Sequence, residues 1–76
     1  MNKARRGQIE TVKSELEALS ERIESIRDDE QDYFDNIPEN LQDSERANMS
    51  EAAIDALDSA IDSISEAISS LEEAAE

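Results

Sequence analysis

The sequence predicts an all-α fold: an antiparallel two-helix coiled-coil hairpin that pairs with a second copy into a four-helix bundle. Three observations predict it. Two apolar stripes share one heptad spacing, a polar stretch containing the only proline separates them, and folding the chain back there sets the stripes level with each other.

The first stripe runs Ile9, Val12, Leu16, Leu19, Ile23, Ile26, in alternating steps of three and four. That is a helical seam with a positions at 9, 16 and 23 and d positions at 12, 19 and 26. It predicts helix 1 over about residues 3–35. Pro38 lacks a backbone donor and disfavours helix at Ile37, which ends the helix near Asp35. Residues 36–43 form the turn, with one short helical turn over Pro38 to Gln42 and with Ile37 and Leu41 covering the base of the hairpin. Helix 2 occupies about residues 44–75. Its start falls at Asp43 or Ser44, which is favoured, or at Asn48, where Asn48 and Glu51 have capping-box spacing.

The second stripe is Ile54, Leu57, Ile61, Ile64, Ile68, Leu71, with the same steps. Folded back at Asn40, it meets the first in the layers Ile26–Ile54, Ile23–Leu57, Leu19–Ile61, Leu16–Ile64, Val12–Ile68 and Ile9–Leu71. The two residue numbers of every layer add to 80, and each layer joins an a to a d position. The register continues into polar residues, with Glu30 facing Ser50 and Tyr33 facing Ala47. Flanking e positions place Arg27 near Glu51 and Arg6 near Glu72, exposed pairs worth about 0.2–1 kcal/mol each. Lys3, Arg5 and Arg6 oppose the dipole of their own helix and suit the carboxylates Glu72, Glu73 and Glu76 beside them.

Chemistry is constrained by what the chain lacks. Its 76 residues contain no cysteine and no histidine, which removes disulfides, thiolate metal sites and histidine-based catalysis. Carboxylates abound, but nothing in the pattern builds a pocket that would set one pKa apart from another, so no catalytic residue, cofactor or metal site is expected. Asp28, Glu30 and Asp32 alternate as in a calcium loop, yet Tyr33 stands where such a loop needs glycine. No apolar run spans a membrane and no signal-like stretch leads the chain, so the expected address is the cytoplasm.

The net charge is −14, and no basic residue follows Arg46. Direct binding to nucleic acid or to an anionic membrane is therefore not expected. Glu51, Asp55, Asp58, Asp62 and Glu66 follow at steps of four, three, four and four along one outward line of helix 2. A second group, Asp28, Asp29, Glu30, Asp32, Asp35, Glu39, Asp43 and Glu45, surrounds the turn. A solvated helix face explains many such acids. Like charges at this spacing cost a helix a few tenths of a kcal/mol each, roughly, and alternating lysines would have avoided it. A function that uses them is blockade of a basic, nucleic-acid-binding surface on a host protein, with Glu51, Asp55, Asp58, Asp62, Glu66, Asp28, Asp29, Asp32 and Asp35 as its contacts. The competing function is a structural or adaptor module that binds a partner helix through Tyr33, Phe34, Ile37, Leu41 and the alanine row.

That row is Ala53, Ala60, Ala67 and Ala74, all at position g of helix 2. Alanine favours helix and lets helix 1 lie close. The row also widens the apolar stripe enough to receive a second hairpin, which makes a homodimer the expected state.

The stretch from Arg27 to Ala74, with "FDNIPENLQDSER" followed by the repeated "AID" helix, resembles small acidic helical proteins of bacteriophages and mobile elements. The resemblance implies a phage or prophage setting and no established activity; that setting favours an inhibitor aimed at a host protein, such as a restriction or CRISPR-type nuclease. It carries over no functional residue.

Overall fold

The computed structural model describes residues 1–41 and 44–76. Helix α1 spans Lys3–Asp35 and helix α2 spans Glu45–Ala74, joined through a single 3-10 turn at Glu39–Leu41. The two helices pack antiparallel in a rod of 59 × 15 × 12 Å. This is the helical hairpin that the two stripes predict.

Each boundary has a local cause. The Asn2 side chain caps α1 by accepting from the Arg5 N–H at 2.8 Å. At the other end the Asn36 side-chain amide donates to the Asp32 carbonyl at 2.8 Å, and Pro38 prevents any continuation. The Leu41 N–H donates to the Pro38 carbonyl at 2.8 Å, which closes the 3-10 turn. Gln42 and Asp43 lie outside the described residues. Ser44 caps α2, accepting from the Ala47 N–H at 3.3 Å, so the earlier of the two expected starts is the one used. Ile37 is buried at the base of the hairpin, whereas Leu41 is 49% exposed and does not share that task.

The register is visible near both ends. The Ser50 hydroxyl donates to a Glu30 carboxylate oxygen at 2.5 Å, the polar layer expected beyond Ile26–Ile54. Ile9, Val12 and Leu71 line one shallow depression at the far end. Between these points helix α2 presents its a and d residues squarely to α1.

Helix α1 does not return the same two rows. Its a residues Ile9, Leu16 and Ile23 turn inward, accompanied by the e residues Lys13, Ser20, Arg27 and Phe34. The d residues are left out at the side: Val12 is 44% exposed, Leu19 45%, Ile26 56% and Tyr33 46%. The layers Val12–Ile68, Leu19–Ile61 and Ile26–Ile54 are therefore only half closed. The two flanks of the seam explain this asymmetry. On the e flank, the Lys13 and Arg27 side chains are only 16% and 31% exposed, as long apolar stems beside the seam would be. On the opposite flank stand the alanines of α2, whose methyl groups are too short to cover Val12, Leu19 or Ile26.

Candidate functional site

Projected on the heptad, every carboxylate of α2 falls at b, e or f. None falls at c, which is Met49, Ala56, Ser63 and Ser70, nor at g, which is Arg46 and the alanine row. The acids of α2 therefore keep to one side of that helix. On the other side α2 contributes the alanine row, and α1 contributes Gln8, Glu15, Arg22 and Asp29 at g, so that side is poorer in carboxylates without being free of charge.

On the acidic side, Glu51, Asp55, Asp62 and Glu66 are exposed, as expected. With a rise of about 1.5 Å per residue, successive carboxylates on this line stand roughly 5–6 Å apart. Asp58 departs from the expectation. It is half-buried and accepts a hydrogen bond from Arg27 Nε at 2.8 Å, the one ion pair joining the two helices among the described residues. That hydrogen bond, followed by the charge of Asp58, raises the Arg27 pKa above its ordinary value. Arg27 also reaches Asp28 at 3.5 Å.

The expected partner of Arg27 was Glu51, and side-chain direction explains the difference. Side chains on a helix lean toward its N-terminus. On α1 that direction leads away from the turn, and on α2 toward it. Arg27 thus leans toward an e residue farther from the turn, Asp58, and away from Glu51, which lies nearer to it. The same lean separates Arg6 from Glu72, and among the described residues no ion pair joins Lys3, Arg5 or Arg6 to Glu72, Glu73 or Glu76. Lys13 pairs within its own helix, with Glu10 at 3.6 Å.

Around the turn, Asp28, Asp29, Asp32 and Asp35 are exposed, and Asp35 accepts from the Gln31 side chain at 2.9 Å. They follow the helix rather than converge. Among the described residues no three carboxylates gather closely enough to hold a metal ion. Asp43 lies outside the described residues.

Apart from Asp28, reasoning from the stripes missed the acids that α1 adds to this side: Glu17, Glu21 and Glu24. Glu24, Arg27, Asp28, Asp58 and Asp62 border one depression between the helices, and Glu17, Glu21, Glu24 and Glu72 border the next. Glu17, Glu21, Glu24 and Asp28 all sit at b or f of α1, so the heptad that located the core also contained the signal for them.

The residues offered for adaptor binding divide. Ile37 is buried and Phe34 half-buried, so they seal the turn, while Tyr33 and Leu41 remain open beside Pro38 and Ser44. In the alanine row Ala53 and Ala60 are half-buried, and Ala67 and Ala74 are exposed. No described helix is long and apolar enough to cross a membrane. The chain matches no protein-family model, no curated protein and no solved structure.

Proposed function

We propose that this chain is a non-enzymatic acidic interaction protein that occupies the basic, nucleic-acid-binding surface of another protein. The observation that carries the reading is the row of carboxylates at b, e and f of α2 flanked by Glu17, Glu21, Glu24 and Asp28 of α1 along one side of a narrow rod. The carboxylates of the α2 line stand roughly 5–6 Å apart. A single nucleic-acid strand carries one charge per roughly 3.4 Å, so a groove that neutralises phosphates meets a sparser but regular line of charge here. The acids stand on rigid helices, which favours a fixed spacing over a diffuse cloud. The phage setting that the turn resembles makes a host nuclease, or another nucleic-acid-binding host protein, the natural target.

Competition tests this reading. The protein is added to a panel of bacterial nucleases and DNA-binding proteins holding a fluorescent duplex, and displacement is followed as salt is raised. Displacement should weaken steeply with salt, and the triple variant Asp55→Lys, Asp62→Lys, Glu66→Lys should lose it. Asp58 is spared because reversing it would break the tie to Arg27. Displacement that survives the triple reversal, or that ignores salt, would refute charge mimicry and leave the adaptor function.

A further inference from the structure

We propose that a second copy of this chain docks on the alanine side of the rod, with Val12, Leu19 and Ile26 of each copy seated over Ala67, Ala60 and Ala53 of the other. The exposed d row of α1 begins the argument. Three aliphatic side chains at heptad intervals, each 44–56% exposed, form an unpartnered ridge along the rod. In the observed register Val12 stands level with Ala67, Leu19 with Ala60 and Ile26 with Ala53. One side of the hairpin thus carries a row of large side chains and, parallel to it, a row of small ones. A two-fold axis along the rod places each large row on the other copy's small row, an isologous and self-complementary contact. The helices then alternate antiparallel around a four-helix bundle, and both turns lie at the same end.

Charge selects the same partner. Two chains of −14 repel, and they can approach only where carboxylates are sparse. The c and g positions of α2 carry none, so the docked copies keep that helix's acids outward, and at g of α1 Arg22 stands between Glu15 and Asp29 at the margin of the contact. The whole face of the rod, 59 by 15 Å, sets an upper limit of about 900 Å² per copy, the same order as the about 800 Å² per partner of a standard stable interface. The need is evident in the hairpin itself, where Ile37, Ala47 and Ile54 are the only buried apolar residues among those described. A chain this small rarely stays folded on so little core.

This association is independent of what the acidic side binds. Sedimentation equilibrium of the full chain tests it, with Leu19→Lys, Ile26→Lys and the acidic-side control Asp62→Lys run in parallel. The wild type and the control should sediment at about 17 kDa, twice the 8.5 kDa chain, at tens of micromolar. Both lysine variants should shift to the monomer mass while circular dichroism still reports helix, because positions this exposed tolerate a charge in the lone hairpin. A spin label at Met49→Cys, near the turn and 66% exposed, reports orientation. Copies with turns at one end place the labels within about 20 Å; the inverted arrangement separates them by more than about 30 Å. A wild-type monomer, a mass above the dimer, a dimer indifferent to both lysine variants, or the longer label distance would each overturn the proposal.

Discussion

Ile54 and Ile26 would be equivalent halves of one layer in a symmetric seam, and the structure makes them unequal. Ile54 is 7% exposed and Ile26 is 56% exposed. Truncation to alanine removes three carbon groups from either side chain, worth about 0.8 kcal/mol each when fully buried. For Ile54→Ala the transfer loss of about 2.4 kcal/mol is increased by the cavity left behind, giving a cost of about 2–4 kcal/mol. For Ile26→Ala less than half of that surface leaves contact, so the hairpin loses about 1 kcal/mol. A domain of this length shifts its Tm by about 4–8 °C per kcal/mol, so Ile54→Ala should melt roughly 10–25 °C lower and Ile26→Ala within about 8 °C of the parent. Thermal melts followed by circular dichroism read both. The comparison is made within the Leu19→Lys chain, so that contact through the alanine side does not contribute. Equal losses for the two variants would refute the rotation of α1 and restore the symmetric seam.

Two further substitutions probe features that the packing exposes. Ser50→Ala should cost about 1–3 kcal/mol, because it leaves the Glu30 carboxylate in the seam without its donor. Replacing both residues by leucine should recover or exceed the parental stability, as apolar replacement of a buried polar pair commonly does; denaturant titration measures each, and a costless Ser50→Ala would show that the hydrogen bond is not sustained in solution. Gly7→Ala should stabilise the hairpin by about 0.5–1 kcal/mol, since a β-carbon there meets nothing within 4 Å, and a lower Tm would show that α1 is not helical at that point.

The boundaries and register were legible because they rest on strong, local chemistry. Pro38 forbids helix, Asn36 and Ser44 satisfy orphan backbone groups, and six paired layers admit one alignment. The rotation of α1 was not legible. A heptad identifies the apolar rows of a helix without stating which of two rows a single partner covers. That choice depends on the flanks, where Lys13 and Arg27 can lie across the seam and the alanines cannot. Arg27 was misplaced for a related reason, since spacing along the helix gives two candidate carboxylates at e, and only the lean of the side chains separates Asp58 from Glu51. The acidic side was half legible. Its line on α2 followed from composition, but Glu17, Glu21 and Glu24 were hidden by attention to a single helix.

The placement of the acids bears on what they are for. Carboxylates needed only for solubility would serve equally well at c and g of α2, and spreading them around the helix would lower the repulsion between neighbours. Instead they crowd at b, e and f, while Ala, Ser and Met occupy the rest. Crowding raises the electrostatic cost on α2, and the two proposals would account for it together: capture of a basic surface would favour concentrating charge on one side of that helix, and contact with a second hairpin would favour excluding it from c and g. If both proposals hold, copies joined through their alanine sides would turn the two acidic sides outward in different directions. Each dimer would then present two equivalent lines of carboxylates, and titration of the partner should saturate at one per chain, two per dimer.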